Sequence, residues 1–120
     1  MQNIMVIGEK KKHLKQMVDI IDRRSNHEFT VKSFTKTSDL SKVSAYGDKD
    51  TRLILLSLSG RADPPWDIWF LRRIFPRAKV VVEMDADAPE RARKMRLWGA
   101  SKTFIKNEDA WEVIKNVCNP

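Results

Sequence analysis

A single cysteine, Cys118, excludes an internal disulfide, so a cytoplasmic setting is the expectation. Glycines number only four, and none are spaced to cradle a phosphate; GxSxG and CxxC motifs are absent as well. The two histidines, His13 and His27, lack metal-ligand spacing; they fall in a lysine-rich helix and a loop and read as solvated. No apolar run approaches the roughly 18 residues that span a bilayer. The short apolar N-terminal piece precedes its lysines, the reverse of a secretory signal. Neither internal repeats nor low-complexity stretches occur. What is present is a 120-residue chain with 42% hydrophobic residues, enough for one domain spanning 1–120 with one core. The net charge of +7 suits an acidic partner, and equally a merely soluble domain.

Along the chain, short apolar runs alternate with helical spacing. NIMVI (3–7) reads as a buried strand ending at Gly8. Over 10–24, Leu14, Met17, Val18 and Ile21 form one apolar stripe. HEFTVKSF alternates Phe29 and Val31 with Thr30 and Lys32, as in a half-exposed edge strand. A short helix over 37–46 is expected with Ser38 as its cap. A continuous apolar strand follows over 52–58, then a loop over 59–65. The helix over 66–75 turns Ile68, Leu71, Ile74 and Phe75 inward and stops at Pro76. AKVVVE (78–83) is the next buried strand. Asp87 is the expected cap of a helix that has Pro89 in its first turn, runs to 97–98 and stops at Gly99. KTFIK (102–106) is the last strand. A closing helix over 108–117 has Ala110, Val113, Ile114 and Val117 on one face.

Strict β/α alternation with short connections predicts an α/β fold, a five-stranded parallel sheet with helices on both faces. Its natural order is 2-1-3-4-5, the flavodoxin-like winding, which places ligands beyond the C-terminal strand ends. That rim is Gly8–Lys10, Ser57–Arg61, Met84–Asp87 and Lys106–Asn107.

The stretches IFPRAKVVVE, LWGASKTFIK and LILLSL carry a proline before strand four, a Gly-Ala after the following helix and a lysine ending strand five. With these features the whole chain resembles a response-regulator receiver domain of the CheY-like family. The resemblance implies an acidic pair after strand one that holds magnesium; the matching positions are Gly8 and Glu9. It implies a phospho-accepting aspartate ending strand three, where this chain has Ser57. The hydroxyl ending strand four is replaced by Met84, and the aromatic switch by Thr103. The strand-five lysine is kept as Lys106, with Asn107 in place of the usual proline.

These losses bear on chemistry. Transfer of phosphoryl to a carboxylate needs an anionic nucleophile and a cation to offset the phosphate. Ser57 is neutral, and Glu9 alone is a poor basis for a reluctantly dehydrated ion. Asp85 with Glu9 offers a weak alternative metal site, although Asp85 and Asp87 suit the start of a helix better. Lys106 is expected to pair with Glu9 or Asp85; the alternative is that Lys106 and Lys10 hold an anion. The expectation is a degenerate receiver of two-component signalling: not an enzyme, without metal or cofactor, independent of phosphorylation and not membrane-bound.

Binding then remains. Trp66 and Trp69 lie off the core face of their helix with Arg73 further along it, and Trp98 ends the neighbouring helix. They are candidates for one aromatic, arginine-edged interface to a protein partner or a second copy, such as a homodimer; the alternative is that they cap the core edges. The strand-five edge with its flanking helices is the other candidate surface. Trp111 reads as a half-buried side chain. Arg91, Arg93, Lys94 and Arg96 face Glu90 alone and make a candidate nucleic-acid patch, a solvated face being the simpler reading. No DNA-reading motif is visible, so another domain is expected to read any DNA. Such receivers control an output domain, often transcriptional, which makes 1–120 a single domain or the first of a longer protein. Two other classes stay open: a residual phospho-receiver with a non-standard site, and a basic module aiding nucleic-acid binding by a transcription regulator.

Overall fold

Successive side chains of a strand point to opposite faces, so a strand apolar at every position must be covered on both. The central strands follow that rule. The structure is a computed structural model that describes residues 2–34, 51–58, 66–85, 88–106 and 108–118. Its elements are β1 (Gln2–Ile7), α1 (Lys11–Arg24), β2 (Phe29–Phe34), β3 (Leu53–Ser57), α2 (Trp66–Ile74), β4 (Lys79–Met84), α3 (Pro89–Leu97), β5 (Lys102–Ile105) and α4 (Ala110–Cys118). The expected helix over 37–46, the loop over 59–65, Asp87 and Asn107 lie outside the described residues.

All five strands are parallel, in the order β2-β1-β3-β4-β5. On one face Met5, Ile7, Ile54, Leu56, Val80 and Val82 meet Ile68, Leu71 and Phe75 of the α2 region and Ala92 and Met95 of α3. On the other, Ile4, Val6, Leu53, Leu55, Val81 and Phe104 meet the α1 stripe of Leu14, Met17 and Ile21 and the α4 pair Val113 and Ile114. Each fully buried Leu or Ile contributes about 1.5–3 kcal/mol, which makes these two layers the source of the fold's stability. Ile74 is only half-buried, at the margin of the first layer.

Two helix starts differ from the sequence reading. The N-cap of α3 is Ala88, without a side-chain cap bond, and Pro89 supplies the preset φ of the first turn. The last helix begins at Ala110 rather than 108 because Asp109 is spent as its cap. Asp109 Oδ1 accepts the amides of Trp111 at 3.0 Å and Glu112 at 3.4 Å. Beyond α3, Gly99 takes φ +119°, a conformation L side chains rarely adopt. Arg72 Nη1 donates to its carbonyl at 3.0 Å and ties α2 to that turn. Trp111 stands half-buried, edge-on to Phe29, with ring centroids 6.0 Å apart. Among the described residues no helix is long and apolar enough to cross a membrane.

Candidate functional site

Parallel pairing brings Ser57, the last residue of β3, into register with Glu83 on β4. Side chains in register project from one face of a sheet, and here both are buried. Ser57 Oγ donates to Glu83 Oε1 at 2.9 Å. The same oxygen lies 2.6 Å from His13 Nε2, which reaches down from the first turns of α1. Glu83 is 2% exposed and the His13 side chain 17%. A carboxylate stripped of water is tolerated only when hydrogen-bonded and paired, and these two neighbours supply that.

The sequence pattern does not join residues 13 and 83 in one site, and the reading of His13 as a solvated histidine is corrected. Signals for both existed. His13 precedes Met17 by four residues, which places it on the buried stripe of α1. Glu83 is the lone charge in VVVEM, a strand covered on both faces. His27 does sit at the surface, where Nδ1 lies 2.9 Å from Asp22 Oδ2.

The other receiver positions fall around this cluster. Gly8 is buried, and a Cβ there would stand 3.0 Å from both Leu14 Cδ2 and Ser57 Cβ. A side chain at position 8 would therefore need Leu14 and Ser57 to give by a few tenths of an ångström. Glu9 is exposed. Met84 is buried in the apolar layer beneath α3. With Thr103, Ala92 and Glu108 it borders a small pocket of about 160 Å³. Lys106 is exposed and lines an open groove between α1 and α4.

Magnesium, which the receiver resemblance implies, does not fit the described residues. Ser57 offers a neutral hydroxyl already bonded to Glu83, Glu83 faces His13, and Gly8 brings no carboxylate. Among the described residues no three His, Cys, Asp or Glu side chains gather as a metal-binding group.

Away from the rim, α2 and α3 cover the same sheet face. Trp69 is 49% exposed, and the Arg73 guanidinium lies over its ring at 4.8 Å. Phe70 beside it is 39% exposed. Trp98 is half-buried against the apolar layer, at the core edge. The Trp66 side chain lies outside those described. On α3, Arg93, Lys94 and Arg96 are exposed, Arg91 is half-buried, and Leu97 at the helix end is 78% exposed.

No protein-family model matches the sequence, and no curated protein matches it as a relative. The fold does have solved counterparts. The signal receiver domain of a DNA-binding response regulator from Colwellia psychrerythraea superposes with a TM-score of 0.82 at 13% identity, over 100% of both chains. A putative pilus assembly protein from Burkholderia thailandensis gives 0.80 at 11% identity, again over 100% of each. The receiver domain of the Saccharomyces cerevisiae response regulator Ssk1, solved with the histidine phosphotransfer protein upstream of it, gives 0.74 at 12% identity. That match covers 97% of this chain and 86% of the other. The chain therefore has the fold of the response-regulator receiver domains, with the 2-1-3-4-5 sheet expected of the CheY-like class.

Proposed function

We propose that this chain is a phosphorylation-independent receiver domain, a signalling module that works by binding a protein partner or a second copy of itself. The observation that carries the reading is the Ser57–Glu83–His13 cluster. Where a receiver would hold an anionic nucleophile beside a cation, this chain has a hydroxyl whose proton points at a buried carboxylate. Serine activation needs a base that takes its proton and a site for the phosphate charge; a buried anion next to Oγ repels a phosphoryl donor. Met84 offers no hydroxyl to follow a phosphoryl group, and Thr103 no ring to swing.

Binding through α2 is supported by the exposed Trp69, stacked by Arg73 and flanked by Phe70, since rigid aromatics with arginine dominate protein interfaces. The receiver fold is compatible with such use, as the yeast neighbour solved with its phosphotransfer protein illustrates. An output domain, often transcriptional, is the natural recipient of the signal. A second reading, a contribution to nucleic-acid binding, is favoured by the exposed Arg93, Lys94 and Arg96 and the +7 net charge.

The test is to add acetyl phosphate or beryllofluoride with millimolar magnesium and record the amide spectrum and intact mass. We expect no shift at Ser57, Glu83 or Lys106 and no added mass; a covalent phosphoryl adduct overturns the reading. Sedimentation of Trp69→Ala beside the parent, alone and with partner, tests the surface: the variant should lose association. DNA affinity that falls steeply with salt and disappears in Arg93→Ala/Arg96→Ala would transfer the conclusion to the second reading.

A further inference from the structure

We infer that the outer face of α2 and α3 docks an acidic amphipathic helix of a different protein, and not a second copy of this chain. The inference rests on the preceding reading that the module acts by binding, and it names the chemistry of the partner.

Two apolar anchors mark this face. Trp69 of α2 is 49% exposed and Leu97 of α3 is 78% exposed. Each has cations three and four residues away, the spacing that puts side chains on one side of a helix. Arg72 and Arg73 follow Trp69, Arg93 and Lys94 precede Leu97, and all four are exposed. The Arg73 guanidinium lies over the Trp69 ring at 4.8 Å. Arg72 reaches across to the end of α3, where Nη1 donates at 3.0 Å to the carbonyl of Gly99, the second residue after Leu97. One turn of α2 and one arginine side chain therefore join the two anchors, on the order of 10 Å, a distance that two turns of a bound helix span.

Charge selects the partner. Residues 68–82 and 91–107 contain no Asp or Glu. The acids of the two helices, Asp67 and Glu90, each stand at the second position, whereas Arg72, Arg73, Lys94 and Arg96 occupy the last turns. The surface around Trp69 and Leu97 is thus cationic with two apolar centres. It complements a helix with Leu or Phe on one side and Asp or Glu beside them. A symmetric dimer through the same face would set these arginines against their own copies. A DNA backbone would match the cations but offer Trp69 and Leu97 no apolar contact.

The test titrates a synthetic amphipathic peptide of about 15 residues, leucines on one face and glutamates elsewhere, into the isotope-labelled protein. The same peptide with lysine for every glutamate and a duplex DNA of random sequence are the competing arms. Saturable shifts are expected at Trp69, Phe70, Arg73, Lys94 and Leu97 with the acidic peptide and not with the basic one. Trp69→Ala and Leu97→Ser should each weaken binding about tenfold, as truncated interface anchors do. Lys15→Gln, on the helix that covers the opposite sheet face, should leave it unchanged. Both anchors are exposed, so the variants fold, and their spectra verify this. Absence of saturable shifts at those residues, equal binding of the basic peptide, or full affinity in either anchor variant overturns the inference. So does DNA that binds the same residues more tightly than the peptide, or a parent dimer that Trp69→Ala dissolves. That last outcome leaves the preceding reading standing, whereas a phosphoryl adduct found by mass defeats that reading and not this surface.

Discussion

Replacing His13 by leucine tests whether the imidazole holds the buried carboxylate. Glu83 is 2% exposed and accepts two hydrogen bonds at one oxygen, 2.6 Å from His13 Nε2 and 2.9 Å from Ser57 Oγ. Removing a hydrogen-bond partner from a buried carboxyl costs about 1–3 kcal/mol. The His13 side is 17% exposed, so water relieves part of that penalty, and about 2 kcal/mol is expected for His13→Leu. Against a total stability of about 5–15 kcal/mol this is a large loss. The double variant His13→Leu/Glu83→Leu leaves no uncompensated charge, only the Ser57 hydroxyl without its acceptor, a cost of about 1 kcal/mol. It should therefore be more stable than His13→Leu alone, with a coupling energy of about 1–2 kcal/mol. Urea unfolding followed by tryptophan fluorescence and circular dichroism measures this, as a midpoint shift at constant slope. Additive losses in the double variant, or a His13→Leu variant as stable as the parent, would refute the reasoning.

Three further outcomes are expected. Gly99→Ala should lose about 1–2 kcal/mol, because φ is +119° and the new Cβ would stand 2.5 Å from Arg72 Cδ; in an Arg72→Ala background the steric part vanishes and the backbone part remains, which a urea series resolves. Burial raises the Asp109 pKa, but the Arg24 hydrogen bond and charge, with the amides of Glu112 and Trp111, outweigh it and hold the carboxyl below its ordinary value. A depressed folded value stabilises above the unfolded pKa of about 3.9 and is lost as pH falls through the folded one. Asp109→Asn should thus lower stability at neutral pH, by under about 1 kcal/mol because the group is well exposed, and not in strong acid; equal effects at both would contradict this. Burial pushes the Cys118 thiol up, with Lys79 only partly opposing it. Alkylation by iodoacetamide near pH 7 should then be slower than for free cysteine, and a fast reaction would show the thiol to be solvated.

The architecture was legible because its signals are local. Alternation in Phe29–Phe34, unbroken apolar runs in β3 and β4 and the stripe of α1 are written in neighbouring residues. The parallel order then follows from the handedness of β-α-β crossovers. Positions such as Ser57 and Gly8 could be placed at the strand ends in the same way. Local propensity misled at helix starts, where Asp109 caps rather than opens α4 and Ala88 precedes Pro89.

What the chain order by itself determined is the sheet, its two apolar layers and the place of Ser57 at the end of β3. What the tertiary structure decided is the company Ser57 keeps. His13 and Glu83 are 70 residues apart, and nothing in either local sequence specifies the other. Their meeting depends on how α1 packs on the sheet, so that its first turn reaches the end of β4. A buried charge takes whatever partner the fold brings within hydrogen-bond distance, a three-dimensional condition that periodicity along the chain does not encode.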